Sequence, residues 1–261
     1  MKKYILAIDA GTTGITLILF DKDAHVVKKV YSEFSQIYPK PGWVEHDPIE
    51  IWETTLSLLK KITKDIKVRS IASIGITNPR ETTVIWNKST SRPIYNAIVW
   101  QCTRTSTFCS KLKKRGYSKE FSSKTGLVID SYFSGTKINW ILNNVDNARE
   151  MSNNGELAFG TIDTWLIWNL TRGKNHLTDH TNASRTLLYN IDSKKWDNKL
   201  LDILEISPNI LPKVQPSSSN FGIIDISILG TEIPISGVAG DQQSALYGQL
   251  AFQSGMSKCT Y

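Results

Sequence analysis

Apolar positions change period along the chain, and each change predicts an element. Three short runs of strand character, Tyr4 to Ile8, Ile15 to Phe20 and Val26 to Tyr31, are separated by the turn-rich strings DAGTTG and DKDAH, a pattern that predicts a β-meander. After the Pro/Gly loop YPKPGWVEHD the period becomes helical, with Trp52, Leu56, Leu59, Ile62 and Ile66 on one face. Asp47 stands there as N-cap, Pro48 at the first helical position and Glu50 three residues past the cap, the arrangement of a capping box. SIASIGITN reads as a strand buried on both faces. Farther on, KINWILNNV, TWLIWNL and WDNKLLDILEI predict helices, and NHLTDHTNASRTLLYN predicts loop and strand. The string EIPISGVAGDQQSALYGQLAFQSG predicts strand, glycine turn and helix, with Gly255 as its terminator. Strands interleaved with helices make the class α/β.

Composition narrows the function classes. A chain of 261 residues can bury a sizeable core in one large domain or two small ones. Its formal charge of +7, from 31 basic and 24 acidic residues, is scattered without a long single-sign run, which favours a solvated basic surface over a nucleic-acid site. Cys102, Cys109 and Cys259 are odd in number and lack close paired spacing, so a reducing, cytoplasmic setting is expected. Asp9 cuts short the apolar run of MKKYILAIDA, and no later run reaches the length of a membrane span, so neither a signal peptide nor a membrane partner is expected.

Three places carry candidate chemistry. SIGITNPRETTVIW sets Arg80 beside Glu81 at the end of an apolar strand, and opposite charges there are costly to desolvate unless each is paired. In IDAGTTG, Gly11 lets the backbone approach an anion while Thr12 and Thr13 add hydroxyl donors. The GK[ST] ending of a P-loop is missing, and an ordinary hairpin turn accounts for the same residues. Asp241 in AGDQQS is placed to cap a helix, or to aim a carboxylate that accepts a proton from a substrate hydroxyl. Both readings stay open on the residues alone.

Taken together, IDAGTTGITLILFD, YPKPGWVEHDPIEIW, GITNPRETTVIW, YNAIVWQCTRT, TGLVIDSYFSGTK, GTIDTWLIWNLT, TDHTNASRTLLYN and ISGVAGDQQSALYGQ closely resemble the N-terminal half of the glycerol kinases, within the FGGY carbohydrate kinase family. The resemblance spans nearly the whole chain. It implies an actin-like, ribonuclease H-like α/β domain with a mixed sheet flanked by helices, facing a second domain across an ATP cleft. Residues 1–250 would be the polyol-binding domain and 251–261 the truncated start of the second.

The activity implied is ATP-dependent phosphorylation of glycerol to sn-glycerol 3-phosphate. By the same resemblance, Arg80 and Glu81 would bind glycerol hydroxyls, Tyr132 would add a hydroxyl contact, and Trp100 would wall the carbon chain. Asp241 would be the general base with Gln242 beside it, Gly11, Thr12, Thr13 and Gly14 would face the phosphates, and Asp9 would anchor Mg²⁺ through water. Ala10, Gly14 and Thr16 stand where the family carries Gln, Ser and Arg. The chain stops at MSKCTY, before the strand-turn that opens the second domain. Alone it is therefore expected to be inactive, with the C-terminal kinase domain as its partner in cis or in trans; a homo-oligomer is compatible with this. Three alternatives remain: a non-catalytic domain that binds a polyol or a partner chain, half of another FGGY sugar kinase, and an actin-like ATPase.

Overall fold

In the computed structural model, which describes residues 3–260, the meander forms as the pattern predicts. Strand β1 (Tyr4–Ala10) pairs antiparallel with β2 (Gly14–Phe20), and β2 with β3 (Val26–Glu33). On the other side of β1 lie Ile71–Asn78 and then Ile235–Gly240, both parallel to it, completing a mixed sheet of five strands. Parallel strands end at the same edge, and the register aligns Asp9 with Thr77 and Asn78 with Gly240. The chain therefore leaves this edge at three adjacent points: into the turn after Ala10, into Pro79, Arg80 and Glu81 after Asn78, and into Asp241 after Gly240. Open α/β sheets bind ligands outside the carboxyl ends of their strands.

Helix α1 (Pro48–Thr63) covers β2 and β3. Its N-terminus is built as expected, with the Asp47 side chain accepting from Ile49 N at 2.8 Å. The capping box is not completed. Glu50 instead accepts from the backbone N and the Oγ of Ser35, at 2.9 and 3.0 Å, because the end of β3 brings those donors within reach. The helix Ile162–Leu170 is apolar nearly all round and buried against the sheet and α1, with Trp165 Nε1 donating to Pro48 O at 2.8 Å.

Two apolar cores result. One lies around the sheet and includes Leu6, Ile8, Leu17, Leu59, Ile76 and Trp165. The other gathers Val99, Phe121, Ile138, Ile141 and Leu188. Between them runs an antiparallel pair, Val84–Asn87 with Leu157–Gly160. Its alternation sends Val84, Trp86 and Ala158 to the first core and Ile85, Leu157 and Phe159 to the second, as a period of two requires.

Two expectations are corrected. Within NHLTDHTNASRTLLYN a short helix, His180–Ala183, follows the strand Leu177–Asp179, because the buried Asp179 carboxylate accepts from Thr181 N and Asn182 N and so caps it. The last helix ends at Gly248, short of Gly255, which sits in a later turn at φ +91°. That helix buries none of its described side chains, so no packed face favours its continuation. Among the described residues no helix is long and apolar enough to cross a membrane.

Buried histidines give the fold a pH dependence. His46 Nε2 meets Gln36 Oε1 at 2.7 Å and His176 Nε2 meets Phe159 O at 2.7 Å, and burial pushes both imidazoles down from 6.5 to about 4. The unfolded chain takes up these protons first, so their stabilisation is complete above pH 6.5 and lost as pH falls through about 4. Asp163 works in reverse: burial raises its carboxyl from 3.8 to about 6, so its contribution is complete below 3.8 and lost as pH rises through about 6. Each histidine contributes on the order of 3 kcal/mol and Asp163 a similar amount, leaving a net loss of roughly 3 kcal/mol between pH 7 and 4. The thermal midpoint should fall steadily over that interval; a flat or rising profile would contradict the burial of the two imidazoles.

Candidate active site

Charges at the carboxyl edge of the sheet are arranged in an alternating chain whose inner pair is desolvated. Arg80 and Glu81 follow the strand Ile71–Asn78, with side chains only 11% and 2% exposed. Neighbours in sequence, they are not each other's main partners. Glu81 Oε1 accepts from Arg185 Nε at 2.7 Å, while Arg80 Nη2 stands 3.8 Å away. Arg80 turns its other edge to the last strand: Nε lies 3.3 Å from Asp241 Oδ1, and Nη1 donates to Gln243 Oε1 at 3.2 Å. The order is thus Arg185, Glu81, Arg80, Asp241, each charge flanked by its opposite, which is how buried ions avoid an uncompensated desolvation cost. Room for the Arg80 stem comes from Gly240, where a Cβ would collide with Arg80 Cδ and Cγ.

Aromatic rings border this chain. Trp100 and Tyr132 pack with centroids 5.5 Å apart, and the Arg185 guanidinium lies 5.7 Å from the Tyr132 ring centre and 4.9 Å from that of Phe133. Desolvation, then the Glu81 carboxylate, raises the Tyr132 hydroxyl above its ordinary value. Among the described residues nothing hydrogen-bonds that hydroxyl. Trp100 Nε1 donates to Thr12 Oγ1 at 3.1 Å, so the aromatic wall is joined to the turn between β1 and β2. That turn is held from behind by Gln36, whose Nε2 donates to Thr12 O at 3.3 Å, and by Phe34 N, which donates to Thr13 O at 3.3 Å. A Cβ on Gly11 would lie 3.1 Å from Gly14 O. One on Gly14 would lie 2.7 Å from the Tyr31 ring and hydroxyl, so Tyr31 fills the place a serine would need there.

Asp9, at the end of β1, keeps solvent access. Its carboxyl is raised first by desolvation and then by the Asp241 carboxylate, against a lowering by Lys29. Asp241 is the first residue of the helix Asp241–Gly248, and Gly240, not Asp241, is its N-cap. The carboxylate still meets a helix amide, since Oδ1 accepts from Gln242 N at 2.6 Å. The Gln242 side chain points elsewhere, accepting from Lys258 Nζ at 2.8 Å. Asp9 and Asp241 belong to no cluster of metal-ligating side chains among the described residues; the one such group, Asp21, Asp23 and His25, lies in the turn between β2 and β3.

Sequence reasoning missed Arg185, Gln243, Lys137 and the pair Asp179 and Thr181. Arg185 lay inside NASRTLL as one basic residue among many, and only its reach to Glu81 singles it out. Asp179 Oδ2 accepts from the hydroxyls of Thr181 and Ser217, at 2.8 and 2.7 Å, and Thr181 Oγ1 accepts from Gly240 N at 2.7 Å. A buried carboxylate thereby fixes the backbone that delivers Asp241.

Residues 4–248 match the model of the N-terminal domain of the FGGY family of carbohydrate kinases. The chain is 57% identical over 263 residues to a glycerol kinase of Caldanaerobacter subterraneus subsp. tengcongensis, covering 100% of this chain and 53% of that protein. It is 56% identical over 261 residues to glycerol kinase 2 of Thermotoga maritima, covering 99% and 53%. Among solved structures, Plasmodium falciparum glycerol kinase with ADP superposes with a TM-score of 0.95 at 39% identity, over 99% of this chain and 52% of that one. A xylulose kinase of Lactobacillus acidophilus gives 0.85 at 25% identity, over 95% and 50%. The chain spans about half the length of these relatives.

The contact between Gly240 and Arg80 can be isolated by a double-mutant cycle. Gly240→Ala should cost about 1–3 kcal/mol by overpacking, and most of that cost should vanish in an Arg80→Ala background. Chemical denaturation measures both; additive effects would mean that Arg80 does not occupy the space beside Gly240.

Proposed function

The chain belongs to the FGGY family of carbohydrate kinases, and from that premise we propose that it is the polyol-binding half of an ATP-dependent kinase whose substrate is glycerol. The carrying observation is the convergence at one sheet edge of the charge chain Arg185, Glu81, Arg80, Asp241 with the Trp100 and Tyr132 rings and the Thr12 turn. The glycerol kinase relatives at 56 and 57% identity support the choice of substrate.

In this reading Arg80 donates to, and Glu81 accepts from, adjacent hydroxyls of the triol. Both arginines address Oε1 of Glu81, and Oε2 has no protein partner among the described residues, so it is the oxygen offered to a ligand. Tyr132 presents a hydroxyl that is not spent on the protein, and Trp100 covers the carbon chain. Asp241 accepts the proton of the terminal hydroxyl as that oxygen attacks the γ-phosphorus of ATP and the bond to the β,γ-bridging oxygen breaks. Gln242 lies next to it at the start of the helix. Gly11, Thr12, Thr13 and Gly14 offer backbone amides and hydroxyls to the phosphates.

Mg²⁺, when bound, would neutralise charge on the transferring phosphoryl group. The site fits such an ion: Asp9 supplies hard oxygen ligands, and the mutual repulsion that raises its carboxyl beside Asp241 is what a cation would relieve. A single carboxylate acting through water suits an ion that keeps its hydration shell. Residues 1–250 then form the polyol-binding domain and 251–261 lead towards the second. Leu246, Tyr247, Leu250, Phe252 and Met256 are exposed at this end and offer a second domain an apolar surface.

Calorimetric titration of the chain tests the substrate. Glycerol should bind more tightly than five-carbon polyols or ketoses, because Arg80 and Glu81 engage two adjacent hydroxyls of a short triol and leave its terminal one for Asp241; tighter binding of a five-carbon compound would overturn the glycerol assignment. In a full-length kinase carrying these residues, Asp241→Asn should leave the thermal midpoint nearly unchanged while turnover drops ~100-fold or more. Undiminished turnover would remove Asp241 from the reaction.

A further inference from the structure

Lys137 is a cation in an unusual place. It sits in the first turn of the helix Ser134–Asn144 with no solvent exposure. A lysine is seldom fully buried, and a cation at a helix N-terminus is disfavoured by the dipole. Among the described residues it forms no ion pair. Instead Nζ donates to two backbone carbonyls, Tyr132 O at 2.6 Å and Glu81 O at 3.0 Å. The groups whose charge it feels are Glu81, Cys102, Arg104 and Asp130, and burial outweighs them, lowering the amine from 10.5 to about 7. A group this costly to bury needs a return, and the two carbonyls belong to residues whose side chains are both part of the candidate site.

The rest of the same helical turn grips the same neighbourhood. Ser134 Oγ donates to Glu81 O at 3.4 Å, and Gly135 N donates to Thr186 O at 2.7 Å, beside Arg185. A Cβ on Gly135 would lie 2.8 Å from that Thr186 oxygen, so only glycine permits the approach. One turn of helix thus holds the backbone at Glu81, Tyr132 and Thr186.

We propose that Lys137 is a positioning residue that sets the spacing between the Glu81 carboxylate and the Tyr132 hydroxyl, and through it the length of polyol the site accepts. The inference rests on the polyol-kinase reading given above for its ligand, but not for its geometry. The Nζ donors clamp two oxygens that would otherwise repel one another. Replacing it with a group of similar length and no donor frees the two loops to drift apart while the sheet behind them stays intact.

The test uses the whole chain with Lys137→Met, and with Ser134→Ala as a milder variant that keeps the lysine. Amide hydrogen exchange, which needs no ligand, should accelerate about tenfold or more around residues 80–83 and 131–135 in Lys137→Met, as expected when hydrogen bonds worth about 1–3 kcal/mol are removed. Amides of β1 and β2 should be unchanged. Ser134→Ala should show the same pattern with smaller amplitude, and it decides the matter if Lys137→Met does not fold. Faster exchange spread evenly over the chain, or unchanged exchange at those loops, overturns the proposal. In parallel, calorimetry with glycerol and xylitol should show about tenfold weaker glycerol binding and a reduced preference for the shorter polyol; an equal loss for both would leave Lys137 a purely structural residue. Failure of the wild-type chain to bind glycerol would count against the substrate, whereas the exchange pattern would still judge the clamp.

Discussion

The alternating chain Arg185, Glu81, Arg80, Asp241 is the constraint on which this structure turns. Its inner members, Arg80 and Glu81, are desolvated, so removing either leaves the other under-compensated, a larger penalty than the loss of a surface ion pair; the end members Asp241 and Arg185 are 40% and 24% exposed and their loss costs less. Sheet topology makes the chain possible. Because Ile71–Asn78 and Ile235–Gly240 are parallel neighbours, their carboxyl ends deliver Arg80 and Asp241 side by side, and the loop after His180–Ala183 closes the row with Arg185.

Beneath that row lies a second, mostly uncharged polar layer. Asn78 Nδ2 donates to Asn182 Oδ1 at 3.0 Å and, more weakly, to Asp163 Oδ1 at 3.4 Å, while Asp163 also accepts from Thr178 at 2.7 Å. The Asp179 carboxylate draws together Thr181, Asn182 and Ser217. These contacts pin the strand ends to one another. Hydrogen-bonded networks in a low-dielectric interior restrain the groups they join, and here they hold the site's main chain while its side chains keep their capacity for a ligand.

A third layer explains two of the strings that carry the resemblance. Arg104 of WQCTRT is buried between the rings of Trp43 and Trp140, 3.9 and 4.6 Å from their centres, and is paired with Glu45 of GWVEHD. Tyr95 and Asn96 complete the hydrogen bonding of that glutamate, each at 2.8 Å. The cage is remote from the charge chain in role but not in consequence. It locks the segment that presents Trp100, whose indole N–H reaches Thr12 and joins the region read as the polyol wall to the region read as the phosphate turn.

The elements with strong local signals were legible in the sequence. The meander, the Asp47 cap with Pro48 behind it, the strand Ile71–Asn78 and the final strand-turn-helix all follow from periodicity and turn chemistry, which act over a few residues. Arg80, Glu81 and Asp241 stood out as residues, family resemblance gave them roles and added Trp100 and Tyr132, and the structure gathers these at one edge of the sheet. What the sequence could not supply is who pairs with whom. Arg80 and Glu81 look like a pair because they are adjacent, yet successive side chains diverge, so Glu81 turns to Arg185 and Arg80 to Asp241 and Gln243. Lys137, Asp179 and Thr181 carried no signal as single letters, since each has a partner far away in the chain: Glu81 O for Lys137, the Ser217 hydroxyl for Asp179 and Gly240 N for Thr181. Glu50 and Gly255 failed as local signals for the complementary reason: Ser35 offered the one a tertiary partner, and lack of a buried face ended the other's helix early. Local chemistry chose the elements; the desolvation cost of their polar groups, which can be met only across the folded chain, decided the site.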